Sequence, residues 1–453
     1  MARKTSTRFA CSNCGAITSA WAGRCSECGE WNTLQEEVSL VKVTTGRSAA
    51  AGGKLLDNQS VEAVANDHVE RMSSGIKDVD IVLGGGIVPG SVILLAGQPG
   101  IGKSTILLQL THAVALQRPV LYVSAEESAQ QVGLRASRLG KNQGELKIAS
   151  SLSTDDIART IMEGTFELVV VDSIQTVACE AVSSAPGSVS QITNSTALLM
   201  QAAKLSNTAL IIVGHVTKEG SIAGPKVLEH VVDVVLQLDG DRYGGFKMLR
   251  AIKNRFGSTS EAGIFEMLDT GLHPVDNPSA ALLAERQMSD GSVVLATLEG
   301  TRPILVEVQA LVNKTNYGYP KRTASGIDLN RLNLLVAVLE RRTKLQLADQ
   351  DIYVNIVGGI KITETAADLA VCMAIASAAK SMMLPENIVV FGEVGLSGEV
   401  RHVPFIEKRL SEASKLGFTS ALGPKVRGNA SKDAKMLASV ADVRTALNTY
   451  LHK

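Results

Sequence analysis

The nine residues Gly97-Gln98-Pro99-Gly100-Ile101-Gly102-Lys103-Ser104-Thr105, entered from the apolar run Val92-Ile93-Leu94-Leu95-Ala96, restrict the fold more than any other part of the chain. They fit the pattern GxxxxGK[ST]. The glycines let successive backbone N–H groups curl round a polyphosphate, Lys103 reaches the terminal phosphates, and the Ser104 hydroxyl ligates Mg²⁺. The segment predicts a strand, a phosphate loop and a helix whose positive end faces the same anion. A chance Gly-rich turn is the competing reading, and the strand signal before it and the helix signal after it argue against that. Composition agrees: 45% of residues are apolar but only 4% aromatic, which suits the aliphatic core of a parallel-sheet α/β protein.

The apolar runs that follow supply the rest of such a sheet. Ile106 to Leu116 has helical period, and Val120-Leu121-Tyr122-Val123-Ser124 reads as a buried strand ending in Ala125-Glu126-Glu127. Ligands of open α/β sheets sit outside the carboxyl ends of the strands, so a carboxylate there is placed to activate water, and Glu126 is assigned that role. An acidic first turn of the next helix is the alternative, and it describes Glu127. Leu168-Val169-Val170-Val171-Asp172-Ser173 has the Walker-B form, which puts Asp172 beside the phosphate loop to order the Mg²⁺ shell with Ser104. Ala209-Leu210-Ile211-Ile212-Val213-Gly214-His215 reads as a further strand. His215 at its end either bonds the terminal phosphate or is a core histidine bonded to backbone. Two long segments without apolar period, Cys179 to Gln191 and Thr217 to Glu229, are expected to be functional loops on the nucleotide face.

Four of the six cysteines, Cys11, Cys14, Cys25 and Cys28, form two CxxC knuckles near the N-terminus. Four thiolates with this spacing predict a closed, structural Zn²⁺ site, while Cys179 and Cys372 read as small buried hydrophobes. Trp21, Arg24 and Trp31 either form a docking face or pack the knuckle. With 453 residues the chain exceeds one core. The expected division is a ribbon over 1–34, a linker over 35–69, an ATPase domain over 70–271 and a second α/β domain over 272–453. Lys plus Arg and Asp plus Glu both number 45, which argues against coating of nucleic acid by overall basicity but leaves room for a local basic channel. No signal or membrane-spanning segment is read, so the expected location is the cytoplasm.

The order of Walker A, Glu126, Walker B and two loops resembles the RecA/DnaB group of ring and filament ATPases. The four-cysteine ribbon in front and Lys253-Asn254-Arg255-Phe256-Gly257 behind are similar to the bacterial RadA (Sms) family in particular. The resemblance implies a hexameric ring that hydrolyses ATP, binds single-stranded and branched DNA, works beside a RecA-type recombinase and drives branch migration as a helicase. It also implies that Lys253 and Arg255 approach the ATP of a neighbouring subunit, as an arginine finger does, and that Lys218 and Lys226 are candidates for DNA phosphate contacts. Filament-forming strand exchange and an ATP-gated repair scaffold are the rival functions. From Leu272 onward the chain resembles the proteolytic domain of Lon, but Ala366 stands where that family has its serine nucleophile and Glu407 where it has its lysine. Peptidase activity is therefore not expected. Lys314 to Arg322, with Tyr317 and Tyr319, interleaves cations and aromatics as nucleic-acid stacking or a subunit contact would require.

Overall fold

The structure, a computed structural model, describes residues 8–11, 17–18, 20–27, 29–31, 33–37, 70–139, 144–215, 227–240, 245–315, 318–425 and 435–451. It is a mixed α/β protein that begins with a small antiparallel ribbon, β1 (Arg8–Cys11), β2 (Ile17–Thr18) and β3 (Leu34–Glu37), in the order β2-β1-β3. Helix α1 (Lys77–Leu83) follows, closed by Gly84 in the left-handed region, and leads to β4 (Val92–Gly97) and α2 (Lys103–Ala115). The succession continues through β5 (Val120–Ser124), α3 (Ala129–Leu139), β6 (Leu146–Ser150), α4 (Thr154–Glu163), β7 (Leu168–Asp172), α5 (Val189–Ser206), β8 (Ala209–His215) and α6 (Val227–Val231).

Two compact units partition the chain. The first holds the described residues up to Gly75, then Gly85–Gly97 and Leu107–Val235; the second holds Ile76–Gly84, Gln98–Ile106 and the chain from Leu236. In the first unit five parallel strands lie in the order β4-β8-β7-β5-β6. Crossover helices cover both faces of such a sheet, which is why β4, β5 and β7 are buried along their whole length and read as unbroken aliphatic runs. Leu168, Val169, Val170 and Val171 are each fully buried, and each contributes roughly 1.5–3 kcal/mol of hydrophobic stabilisation. The register sets Gly97 opposite His215 and Ser124 opposite Asp172, so the carboxyl ends of four strands are aligned on one edge.

Strand β9 (Val234–Gly240) runs into the second unit, where β10 (Phe246–Asn254), β11 (Ala262–Leu268) and β12 (Gly271–Pro274) form an antiparallel meander. After α7 (Pro278–Leu283) comes a second sheet. Its strands are β13 (Ser292–Glu299), β14 (Arg302–Lys314), β15 (Arg322–Ser325), β16 (Gln350–Ile356), β17 (Ile388–Val390), then, beyond the short hairpin β18 (Glu393–Val394) and β19 (Val400–Arg401), β20 (Ser420–Gly423) and β21 (Leu437–Ser439). The sheet order is β15-β16-β14-β13-β17-β20-β21. Helices α8 (Leu329–Thr343), α9 (Asp368–Lys380), α10 (Ile406–Lys415) and α11 (Val443–Tyr450) complete it. Helix α9 is buried from Asp368 to Ser377 and packs on β13 and β14, which explains an apolar run too short to span a bilayer. No helix among the described residues is long and apolar enough to cross a membrane.

Candidate active site

The phosphate loop leaves β4 at Gly97 and enters α2 at Lys103, as the sequence predicts. Gly100 and Gly102 have φ of 79° and 112°, a region that L side chains rarely adopt. At Gly102 space is also limiting, since a Cβ would come within 2.7 Å of Met267 Cε and 3.0 Å of Leu272 Cδ1. Lys103 is 5% exposed and its Nζ donates to the Gln98 carbonyl at 3.0 Å, which holds the ammonium over the curl of the loop. Gln98, Pro99, Ile101, Ser104 and Thr105 complete the segment.

At the ends of β5, β7 and β8 the acidic and basic groups meet. Ser173 Oγ donates to Glu126 Oε1 at 2.5 Å, and His215 Nε2 lies 3.1 Å from the same oxygen. One step back in the sheet, the Tyr122 phenol donates to Asp172 Oδ2 at 2.6 Å in buried surroundings. Glu127 behaves differently, as its carboxylate pairs with Arg135 one helix further on and its backbone N–H donates to Ser124 Oγ. Of the two adjacent acids, therefore, only Glu126 turns to the strand ends. His215 brings its ring to the same glutamate from the end of β8. Tyr122 and Ser173 are the contributors that sequence reasoning missed. The available signals were a lone phenol inside an aliphatic strand and a hydroxyl directly after the Walker-B acid.

The segment from Cys179 differs from expectation. Helix α5 begins at Val189, capped by Ser188, so Gln191 belongs to its first turn instead of to a loop. Gln191 is 2% exposed, accepts from Cys179 N at 2.9 Å, and donates through Nε2 to the carbonyls of Val182 and Ser184 at 2.9 and 3.0 Å. A buried amide thus ties this loop down from inside. Of the second loop, residues 216–226, with Lys218 and Lys226, lie outside the described residues. In the Lys253 to Gly257 stretch, Arg255 is exposed just past the end of β10, whereas Asn254 is an anchor. Its Nδ2 donates to the carbonyls of Val82 and Leu83 at 3.4 and 3.2 Å, two groups in the last turn of α1.

In the second unit Ala366 is fully buried and its carbonyl accepts from Gly392 N, while Glu407 is exposed on α10. An Arg409–Glu364 ion pair occupies this neighbourhood, with Glu364 also accepting from Thr297 Oγ1 and Leu298 N. Cys372 is fully buried and its thiol is pushed upward by burial, so it stays protonated. Lys314 to Arg322 joins β14 to β15 inside this unit's sheet, with Tyr319 88% exposed and Tyr317 outside the described residues.

In the ribbon, among the described residues, Cys11 and Cys25 are buried with Leu34, and Phe9 packs against them. Two buried cysteines at the centre of so short a ribbon fit thiolates gathered on a metal. Cys14 and Cys28 lie outside the described residues. Trp21 and Trp31 are 61% and 68% exposed, with the Arg24 guanidinium 5.8 Å from the Trp31 ring centre. Both tryptophans thus present much of their rings to solvent, while Trp31 also packs beside Gly23 and Arg24.

A phosphate loop between a parallel strand and a helix, with the Walker-B acid and a second carboxylate on neighbouring strand ends, defines a P-loop ATPase. Family models agree along the chain: a rubredoxin metal-binding domain matches residues 9–36, an AAA domain residues 60–221, and subunit ChlI of Mg-chelatase residues 333–427. The DNA repair protein RadA of Pseudomonas aeruginosa is 48% identical over 432 residues, 95% of each chain, and that of Bacillus subtilis 46% identical over 455 residues, 99% of each. The chain belongs to the RadA family of DNA repair proteins, with a zinc ribbon and a nucleotide-binding ATPase core. Among solved structures, a KaiC-like protein from Pyrococcus horikoshii is similar over 46% of this chain and 99% of its own, at 22% identity and a TM-score of 0.39.

Proposed function

We propose that this chain is an ATP- and Mg²⁺-dependent DNA motor, a ring helicase or translocase that binds single-stranded and branched DNA and promotes branch migration beside a RecA-type recombinase. The printed names of the relatives support the DNA-repair setting. The observation that carries the enzymatic part is Glu126, fixed by Ser173 and His215 on the strand-end edge that also bears Asp172. Such a carboxylate, held but partly exposed, can take a proton from water as the water attacks the terminal phosphorus, leaving Glu126 protonated and ADP to depart with phosphate. Lys103 offsets the phosphate charge. Ser104 and Asp172 supply oxygen ligands of the hard type Mg²⁺ prefers, and the bound ion would neutralise the charge that builds up on the bridging oxygen. Lys253 and Arg255 serve the neighbouring subunit's site in a hexamer. The domain from 272 onward is a proteolytically inactive, ring-forming scaffold, and the protein acts in the cytoplasm.

Turnover with and without single-stranded DNA, run beside unwinding of forked and three-stranded substrates, tests this reading. Wild-type protein is expected to show DNA-stimulated unwinding that Lys103→Ala and Lys253→Ala both abolish. Strong turnover without unwinding would sink the motor in favour of a scaffold, and nucleoprotein filaments by microscopy would favour strand exchange.

A further inference from the structure

We propose that the second unit binds a small aliphatic diamine, in a cavity of about 390 Å³ between the end of α7 and the sheet. That volume lies in the range of small-molecule sites. Ser279 Oγ of α7 accepts from Leu305 N, which seats the helix on β14. Just past α7, Glu285 and Arg286 line one side of the cavity, and β14, β16 and the turn at Gly358 and Gly359 line the other. The strand register assembles the floor. Ser292, Gln309, Asn355 and Ser325 stand opposite one another on β13, β14, β16 and β15, and Glu307 lies two residues before Gln309 on the same face. The other face of the same strands carries buried Val293, Val306 and Val308. A polar row across four neighbouring strands thus stands where packing under a helix would call for aliphatic side chains.

Glu307 is the residue that points to a ligand. It is 3% exposed, yet it lines the cavity. Its Oε1 accepts from Ser292 Oγ at 2.5 Å, and that hydroxyl accepts in turn from Arg286 Nε at 3.4 Å. The serine supplies the one side-chain hydrogen bond of Glu307 among the described residues, and Oε2 is not one of their sealed, unbonded atoms, so it opens onto the cavity. A carboxylate this deep calls for more than one hydrogen bond to offset its lost hydration. Arg286 is only a shared counter-ion: Nη1 donates to the Glu386 backbone carbonyl at 3.3 Å, and both Glu307 and Glu386 draw on its charge. With Glu285 added, carboxylate charge exceeds guanidinium charge in the lining. An ammonium brings a positive charge and three donors, which suit Glu307 and the amide oxygens of Gln309 and Asn355. The methylenes of a diamine lie on Leu282 and Ile356, and its second end serves Glu285. Among the described residues no three carboxylate, imidazole or thiol groups gather as a metal site, which argues against a bare divalent ion.

The test titrates full-length protein, free of DNA and nucleotide, with putrescine and with butylamine by isothermal calorimetry, and reads the rise in melting temperature alongside. The variants are Glu307→Gln, Glu285→Gln and Asn355→Phe, the last at an exposed strand position where a ring fills the cavity. Putrescine is expected to bind at a single site per chain, and butylamine, with one charge fewer, at least about threefold more weakly. Glu307→Gln is expected to weaken putrescine by about tenfold or more, the scale of a charge-assisted hydrogen bond lost. Glu285→Gln is expected to weaken it by about threefold, and Asn355→Phe to abolish binding. Should Glu307→Gln fail to fold, Asn355→Phe carries the test. Wild-type protein that takes up no putrescine overturns the proposal. Uptake that a folded Glu307→Gln or Asn355→Phe leaves unchanged also overturns it, since the amine then sits on surface carboxylates elsewhere. Displacement of putrescine by Mg²⁺ at equal concentration overturns it in favour of a cation site that does not select amines.

Discussion

Each unit gathers charged side chains at one place, and the two clusters differ in what surrounds them. At the strand ends of the first unit, Glu126 and His215 have side chains 41% and 27% exposed, and Glu126 Oε1 meets both the Ser173 hydroxyl and the His215 ring. In the second unit Arg409 is fully buried against Glu364, Asp368 is 1% exposed against Arg331, and Glu299, 10% exposed, pairs with Arg250 at 2.8 Å. Chemistry requires a carboxylate that water and substrate can reach. A pair with one partner buried and an opposite charge against it has already spent that charge on its neighbour, and it serves to fix which strands meet. On the function proposed above, the comparison assigns catalysis to the first cluster and architecture to the second, although both lie on α/β sheets.

The most damaging change to the first cluster is expected at Glu126. Glu126→Gln keeps the shape but not the base, and turnover should fall by about a thousandfold with the melting temperature little changed. Turnover within a few-fold of wild type, measured by phosphate release, would break the assignment. Arg409→Met should do the reverse. It strips Glu364 of its buried partner at a cost of about 3 kcal/mol in denaturant unfolding, and turnover per folded molecule should hold. Loss of turnover without loss of stability would erase the distinction between the clusters.

A third test uses pH. Burial raises the Glu299 carboxyl to about 7, against the pull of Arg250 and with repulsion from Glu364 and Asp239. The unfolded carboxyl titrates near about 4.3, so the folded chain holds this proton more tightly. The stabilisation from that proton is full below about pH 4 and is lost as pH rises through about 7, by at most about 4 kcal/mol. Glu299→Gln should remove that part of the slope, which denaturant melts of the two proteins across pH 4 to 8 would show as a difference curve. Curves that stay parallel would mean that Arg250 holds Glu299 ionised throughout. The smallest effect is expected for Ser173→Ala, which takes one hydrogen bond from the base and should slow turnover by about three- to tenfold. Unchanged single-turnover rates would show that His215 suffices to hold Glu126.

Much of the site was legible in the sequence because its signals are local. The spacing of Gly97, Gly102 and Lys103 and the aliphatic runs ending in Ser124, Asp172 and His215 each predict an element and its end from neighbouring residues. Gln191 was misassigned because a polar stretch after Cys179 looks the same whether its amide faces water or, as here, caps the inside of a loop. Asn254 was passed over for a similar reason: the cations on either side of it carry the visible signal, while its own role depends on carbonyls of Val82 and Leu83 far back in the chain.

By itself, then, the sequence determined that a phosphate loop leaves a parallel strand, that a cysteine ribbon precedes it and that a second α/β domain follows, because hydrophobic period and glycine spacing act over a few residues. Only tertiary structure decided that Tyr122 would hold Asp172, that Ser173 and His215 would share one oxygen of Glu126, and that Arg409 would neutralise Glu364. Those partners are set by strand order and register, and a one-residue slip in register would turn each side chain to the opposite face of its sheet.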